Sequence, residues 1–222
     1  MLHSSDTGSA PDSQVKFDSI PDALADFAQD KFLVVVDNED RENEGDLIIA
    51  AENVTAADIA FMVRYTSGVI CCPLKQDRLE ELSLPLMVPK NSESFHTAFT
   101  VTVDYKQGTT TGISASDRAI TLRALADPEK RDPDAFAKPG HIFPLRYTEG
   151  GVLTRPGHTE ASIDLCELAG KRPAGVLCEI VNDDGTMARR DDCFAFARRW
   201  GLKMISIADL AAYRQSLESS KQ

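Results

Sequence analysis

The sequence predicts a single-domain protein of the α+β class, with mixed α/β layers in which helices pack a mixed β-sheet. Short apolar runs rich in β-branched residues, such as 32–36 and 47–50, are typical of buried strands. Helical segments alternate with such runs along most of the chain, which favours a layered mixed domain. At 222 residues the chain can bury a substantial core as one domain. The polar residues 1–16 are predicted to form a disordered tail, so the folded domain spans 17–222.

Seven segments are predicted to be helices, and several carry start or stop signals. Ser19 followed by Pro21 begins the first, and Thr55 caps the second. Gly170 and Gly201 end the fifth and sixth. The predicted helices cover 19–28, 55–64, 76–82, 116–126, 158–169, 192–200 and 208–217.

Strands are predicted between these helices wherever the apolar runs are short. They cover 32–36, 47–50, 68–72, 97–105, 142–145, 176–181 and 203–207. Residues 85–96, which contain two prolines and several polar residues, are predicted to form a mobile loop. Residues 127–138 are charged and contain proline, so a surface connection is expected there. Turns are expected at 150–151 and 182–185.

Composition narrows the range of partners. The formal net charge of −11 and the pI near 4.8 argue against nucleic acid and anionic membrane surfaces. No apolar run is long enough to span a bilayer, and residues 1–16 lack the apolar stretch of a signal peptide. The five cysteines are odd in number and show no zinc spacing, which favours a reducing, cytoplasmic location.

The densest concentration of charge lies between the first two predicted strands. Residues 37–46 contain six carboxylates in ten positions. Such crowding costs repulsion unless a cation or ligand offsets it, although a solvated acidic loop would show the same pattern. A calcium EF-hand fits poorly, because the sixth position counted from Asp37 is Glu42 and the twelfth is Ile48. Carboxylate ligands instead favour Mg²⁺ or Mn²⁺.

Two of the four histidines stand in an unusual context. His141 and His158 both follow a Pro-Gly pair, whose glycine permits a tight turn that presents the imidazole. Two loop histidines satisfied by backbone carbonyls remain the alternative. His3 lies in the polar tail, and His96 is expected at the surface or at a strand end.

Residues near His158 suit an anion. If a helix begins near His158, its free N–H groups and dipole favour a phosphate. Arg155 could clamp that phosphate and Thr159 could add a hydroxyl donor, although Arg155 could equally pair with a surface carboxylate. The polar run 109–114 offers a weaker second set of donors.

Glu179 is a carboxylate within an apolar run. If it is buried, its pKa is expected to rise, which suits a general acid or base. Strand alternation would alternatively place Glu179 on a solvated face.

Several long motifs in register give the sequence a family resemblance. They lie at 40–46, 110–115, 138–141, 150–160 and 182–187. In this order and spacing the chain resembles 3,4-dihydroxy-2-butanone 4-phosphate synthase, from about residue 17 to residue 213. Pro156 departs from the small or basic residue that is usual in the family, and it supplies no N–H donor.

The resemblance implies roles for particular residues of the catalytic domain, 17–222. Glu42 and His158 would hold the metal, Mg²⁺ or Mn²⁺, with two ions expected per subunit. His141 and Glu179 would transfer protons. The residues expected to bind the substrate are Arg41, Glu42, Asp46, Arg155, Pro156, Gly157, His158, Thr159 and Glu179.

The implied activity is that of a lyase in riboflavin biosynthesis. It would convert D-ribulose 5-phosphate into 3,4-dihydroxy-2-butanone 4-phosphate and formate through a metal-stabilised enediolate, dehydration and skeletal rearrangement. The resemblance also implies a homodimer with sites at or near the subunit interface. Some relatives carry a fused GTP cyclohydrolase II domain, which is not expected in this chain. A metal-dependent isomerase or aldolase for a similar sugar phosphate, or a non-catalytic cation-binding protein, would share some of these features.

Overall fold

A seven-stranded mixed β-sheet forms the centre of residues 16–220, the part of the chain that the computed structural model describes. Its order is β4-β5-β3-β6-β2-β1-β7. The β1–β7 and β3–β5 pairs are parallel, and the others are antiparallel. The strands are β1 (Leu33–Val36), β2 (Gly45–Ala50), β3 (Cys71–Leu74), β4 (Val103–Tyr105), β5 (Phe136–Arg146), β6 (Gly175–Glu179) and β7 (Lys203–Ser206).

Helices cover both faces of this sheet, so the described residues form three layers. Helices α1, α5 and α7 pack on one face, and α2, α3, α4 and α6 pack on the other. The helices are α1 (Ile20–Phe27), α2 (Ala56–Tyr65), α3 (Gln76–Glu81), α4 (Ala115–Ala126), α5 (His158–Leu168), α6 (Arg190–Trp200) and α7 (Ile207–Ser219). The predicted fold class, one domain with a mixed sheet packed by helices, is confirmed.

Burial on both faces explains why the central strands are continuously apolar. In β1, Val34 and Val36 contribute to the core under α2, α4 and α6. Leu33 and Val35 contribute to the core under α1, α5 and α7. A strand covered on both faces needs no polar alternation, and β1 and β2 are buried at every position.

The helix starts read from the sequence are confirmed at two positions. The Ser19 side chain accepts the N–H of Asp22 at the start of α1. Thr55 and Asp58 form a complete capping box on α2. Gly201 closes α6 in the left-handed conformation, with φ of 64°.

The prediction for 97–145 was wrong in extent. Strand β4 is limited to Val103–Tyr105, whereas β5 runs for eleven residues, from Phe136 to Arg146. The pattern 136–141 contains a proline and a glycine, which normally argue against a strand interior. Both are accommodated beside a register shift between β4 and β5, at Val103 and Asp104.

The structure does not test two of the predictions, the disordered tail and the mobility of residues 85–96. The predicted tail, 1–16, lies outside the described residues apart from Lys16, which is exposed. Residues 85–96 are described and contain no regular element beyond a bridge between Leu86 and Thr100; their mobility remains a prediction. Within 16–220, no helix has the length and apolar character needed to cross a membrane.

Candidate functional site

A cavity of about 300 Å³ opens where the acidic loop, the start of α5 and residues 93–99 meet. Strands β2, β3, β5 and β6 also contribute side chains to its wall. Its lining residues are Arg41, Glu42, Glu44, Asp46, Cys71, Glu93, Phe95, Thr97, Phe99, Leu145, Arg155, His158, Thr159, Leu177 and Glu179. Most of the predicted site residues are therefore brought together.

His158 is held with one ring nitrogen turned toward carboxylates. Its Nε2 lies 3.0 Å from the Val35 carbonyl oxygen, and a carbonyl can only accept, so Nε2 carries the proton. Its Nδ1 lies 3.5 Å from Glu42 Oε2 and 3.9 Å from Asp46 Oδ1. An imidazole anchored through one nitrogen, with the other facing carboxylates, is the usual arrangement of a metal-ligating histidine.

Asp37 organises the acidic loop. It is buried, and its carboxylate accepts the backbone N–H groups of Glu42 and Glu44 at 3.0 and 2.9 Å. It also accepts from Arg41 Nη1 at 3.0 Å. Among the described residues, one cluster of three potential metal-ligating side chains is compact enough for a cation: Asp37, Glu42 and His158. Because the Asp37 carboxylate already accepts three hydrogen bonds, the Glu42 carboxylate is the more available of the two as a cation ligand.

Asp46 lies in the second strand rather than in the loop, because β2 begins at Gly45. It is 2 % exposed, and its buried Oδ1 has no hydrogen-bond donor among residues 16–220. Burial raises the pKa of Asp46 to about 8, against the opposing charge of His158. A buried oxygen without a donor, 3.9 Å from Nδ1 of His158, is suited to bind a cation.

The charges of the cluster act strongly on one another. Burial raises the pKa of Glu42, but the hydrogen bond with His158 and the charge of Arg41 outweigh it, and the pKa is lowered to about 2. Burial lowers the pKa of His158, but the charge of Asp46 and the hydrogen bond with Glu42 raise it overall. Several carboxyl groups thus surround one imidazole, and this donor set suits a divalent cation.

The start of α5 forms the opposite side of the cavity. No side chain caps this helix, and the N–H groups of its first turn have no intrahelical partner. A Cβ on Gly157 would overlap Arg155 Nη1 and approach Arg41 Nη2 to 3.0 Å, so both guanidinium groups lie against this glycine. Arg155 is oriented by Glu160 Oε2, at 2.7 Å. Two arginines at an uncapped helix N-terminus can bind an anion such as phosphate.

Glu179 ends β6 directly opposite Asp46 of β2. Its Oε2 accepts the Ser67 hydroxyl at 2.6 Å, and the residue is half-buried. Between the two alternatives left open for Glu179, burial and a solvated face, its position is intermediate, because β6 ends at Glu179 itself. The fully buried carboxyl group is its neighbour Asp46. Cys71 lines the same cavity, and burial raises the pKa of its thiol well above the ordinary value.

Two predicted site residues lie elsewhere in this chain. His141 is on β5, with Nδ1 2.6 Å from Asp104 Oδ2, and it does not contribute to the cavity wall. Pro156 is exposed and lines an adjacent cavity of about 410 Å³ behind Arg41. Their predicted roles in catalysis and substrate binding remain predictions.

Sequence reasoning missed the contribution of residues 93–97. Arg155 Nη2 donates to the Phe95 carbonyl at 3.1 Å and to Thr97 Oγ1 at 3.2 Å. The Arg41 guanidinium lies 5.2 Å from the centre of the Phe95 ring. These contacts join distant parts of the chain, so only tertiary packing places this segment over the cavity.

The fold and the cavity together indicate a class of protein. In this three-layer α/β domain, carboxylates and an imidazole suited to a divalent cation lie next to an anion site at a helix N-terminus. This combination is typical of metal-dependent enzymes that act on phosphorylated substrates. The family profile of 3,4-dihydroxy-2-butanone 4-phosphate synthase matches residues 21–213. The chain therefore belongs to the 3,4-dihydroxy-2-butanone 4-phosphate synthase family, and the predicted resemblance is confirmed.

Relatives support this assignment. The 3,4-dihydroxy-2-butanone 4-phosphate synthase of Schizosaccharomyces pombe is 54% identical over 196 residues, which cover 88% of this chain and 96% of that protein. A probable bifunctional chloroplastic riboflavin biosynthesis protein of Oryza sativa subsp. japonica is 59% identical over 202 residues; these cover 90% of this chain but only 37% of that protein. This chain therefore spans well under half of such bifunctional relatives.

A solved structure shows the same fold. It is a crystal structure of 3,4-dihydroxy-2-butanone 4-phosphate synthase in complex with two magnesium ions. It superposes with a TM-score of 0.89 at 51% identity, covering 91% of this chain and 99% of the other. At this identity the fold and family correspond along nearly the whole length of both chains.

Proposed function

We propose that this chain is the lyase that converts D-ribulose 5-phosphate into 3,4-dihydroxy-2-butanone 4-phosphate and formate in riboflavin biosynthesis. The observation that carries the proposal is one cavity that combines a cation-binding set, Glu42 and His158, with an anion site at the start of α5. The substrate requires both, since it carries a phosphate at one end and neighbouring hydroxyl and ketone oxygens at the other. Family membership supports the same reaction.

The phosphate is bound by the start of α5. Arg155, held by Glu160 at 2.7 Å, supplies charge-assisted hydrogen bonds, and Gly157 leaves room for the Arg155 and Arg41 guanidinium groups to lie against the start of the helix. Thr159 adds a hydroxyl from the cavity wall. Arg41 stands between the phosphate and the acidic loop, and Pro156 shapes the turn into α5 from outside the cavity.

Glu42 and His158 hold the cation, with Asp46 close by. We propose Mg²⁺ or Mn²⁺ and two ions per subunit, a number supported by the related structure in complex with two magnesium ions. When bound, a divalent cation stabilises negative charge on adjacent substrate oxygens. Asp46 and Glu42 also lie where they can accept hydrogen bonds from substrate hydroxyls.

Proton transfer is assigned to Glu179 and His141. Glu179 lies at the cavity wall, oriented by Ser67 at 2.6 Å, so it can take a proton from a carbon next to the ketone. The reaction needs no external oxidant, because the four-carbon product and formate together contain all the atoms of the substrate. Dehydration and rearrangement require several further proton transfers, and we assign His141 to these.

We further propose a homodimer in a reducing, cytoplasmic compartment. His141 does not contribute to the cavity wall of its own chain, so a dimer could bring it to the partner's cavity. The five cysteines, all within the described residues, are buried and unpaired, which suits a reducing compartment.

The experiment that tests the proposed function follows carbon 4 of the sugar. The protein is incubated with Mg²⁺ and ribulose 5-phosphate labelled with ¹³C at carbon 4, and the products are followed by NMR. All the label should appear in formate and none in the four-carbon product. Label retained in a five-carbon sugar phosphate would instead identify an isomerase, and label in a two- or three-carbon fragment an aldolase.

A further inference from the structure

Asp104 forms an unusually complete contact with His141. Its Oδ2 lies 2.6 Å from His141 Nδ1, and its Oδ1 accepts the His141 backbone N–H at 2.9 Å. One carboxylate therefore binds both the ring and the backbone of the same residue. The Asp104 side chain is 12% exposed, whereas that of His141 is 41% exposed.

The surrounding backbone is shaped to permit this pair. The register of β4 and β5 shifts between Val103 and Asp104. Gly140 lies so close to β4 that a Cβ would overlap the Val103 backbone, and its N–H donates to Thr102 Oγ1 at 3.0 Å. Gly112, with φ of 96°, covers the pair from the other side, where a Cβ would overlap the Asp104 carboxylate. Two glycines from two separate motifs thus leave room for one carboxylate–imidazole contact.

The contact has a definite chemical consequence. A carboxylate only accepts hydrogen bonds, so Nδ1 of the neutral imidazole carries the proton and Nε2 keeps its lone pair. The buried Arg118 of α4 lies close enough for its positive charge to act on Asp104. Nε2, on an exposed ring, is therefore the basic nitrogen of His141.

We propose that Asp104 is a positioning residue for the reaction, which holds His141 in the Nδ1–H tautomer and leaves Nε2 free to act in the cavity of the partner subunit. The expected effect of Asp104 on kcat rests on the proposed function. The tautomer of His141 can be measured without any enzymatic turnover. Asp104 touches no substrate in this assignment and acts only through His141. A histidine fixed in one tautomer is always in the form that can accept the proton, so none of the enzyme population is held in the inactive tautomer.

The first test uses the unmodified protein with Mg²⁺ bound. A two-bond ¹H–¹⁵N spectrum of ¹⁵N-histidine-labelled protein, recorded where the imidazole is neutral, should show the His141 proton on Nδ1. The His141→Gln spectrum assigns the signal. A proton on Nε2 would overturn the proposal, whether or not the protein makes formate. Absence of formate with the proton on Nδ1 would instead count against the proposed function alone.

The second test compares Asp104→Asn with Asp18→Asn. Asp18 is a matched control, because its side chain is 13% exposed and it also accepts a backbone N–H at 2.9 Å, from Met204, far from His141. Asp104→Asn should lower kcat about 100-fold or more, with KM changed less than about threefold, and should move the His141 proton to Nε2. Asp18→Asn should change neither. If Asp104→Asn keeps full kcat, or loses it while the proton stays on Nδ1, the proposal fails; a variant that does not fold leaves the spectrum of the unmodified protein to decide.

Discussion

Asp46 and Glu179 face each other across β2 and β6, and the difference between them shows how the cavity is organised. Asp46 is buried with one unpartnered oxygen, whereas Glu179 is half-buried and hydrogen-bonded to Ser67. Like charges directly opposite each other in a sheet are destabilising. A cation near Asp46 would relieve this repulsion, which strengthens the assignment of the neighbouring Glu42 and His158 as its ligands.

We expect Glu42→Gln to lose most activity while the fold survives. Removing the charge removes a cation ligand but keeps the size of the side chain, so formate production should fall by about 100-fold or more, with weaker Mn²⁺ binding in calorimetry. Chelation of the unmodified protein should also abolish activity. Glu39→Gln is the matched control in the same loop, because the Glu39 side chain is 64% exposed and forms an ion pair with Arg190 outside the cavity. Equal losses in both variants would contradict the assignment.

A second prediction concerns the phosphate. Arg155→Ala should raise KM roughly 10- to 150-fold, since a charge-assisted hydrogen bond contributes roughly 1.5–3 kcal/mol. Arg199→Ala is the control, because Arg199 is exposed on α6, where it stacks on Trp200. Arg189 is unsuitable, since its Nη1 donates to the carbonyl oxygens of Glu42 and Asn43. A similar KM for the Arg155 and Arg199 variants would exclude Arg155 as the phosphate ligand.

At the scale of elements, α6 packs so closely on the first residue of β2 that no side chain fits at Gly45. A Cβ on Gly45 would overlap Cys193 Sγ and approach Val36 Cγ1 to 3.2 Å. Gly45 also begins the strand that carries Asp46 into the cavity. The packing of α6 therefore helps to determine where the acidic loop ends.

Gly45→Ala should destabilise the protein by about 1–3 kcal/mol through overpacking. Thermal denaturation should show this as a Tm lower by roughly 2–12 °C. Cys193→Ala alone should be mildly destabilising, since it removes a buried thiol. The double variant should lose less stability than the sum of the two changes, because the thiol that clashes is gone. Strict additivity would show that the clash is relieved elsewhere.

The helices and strands were predictable to different degrees for physical reasons. Caps such as Ser19 and Thr55 act through local hydrogen bonds, so the sequence shows where helices start. Strand β5 depends on pairing with β3 and β4, which lie far away in the chain. Pairing of this kind overrides the local preference of Pro139 and Gly140 against a strand.

At the scale of the whole molecule, we expect a homodimer whose active sites each combine residues of two subunits. Sedimentation at micromolar concentration should give the mass of a dimer. Glu42→Gln and His141→Ala should each be inactive alone, yet co-expressed subunits should recover about one quarter of the unmodified activity, since half of the dimers are mixed and each has one intact site. No recovery in verified mixed dimers would show that both residues act within one subunit.

Local sequence pattern was sufficient to predict the fold class, the family and seven of the fifteen residues that line the cavity. Buried strands, caps and acidic or basic motifs depend on local pattern, and 40–46 and 150–160 carry their chemistry in consecutive residues. Glu42, Asp46, Arg155, His158, Thr159 and Glu179 were accordingly identified before the structure, and all of them line one cavity.

Which groups are buried, paired or without a partner depends on contacts that form only in the folded domain. Glu179 and Asp46 look alike in sequence, but the end of β6 exposes one and the packing of the sheet buries the other. Likewise, Asp104 has no distinguishing motif, and the register shift between β4 and β5 alone brings it to His141. Burial and long-range pairing arise from contacts between distant residues, so a local pattern does not contain them.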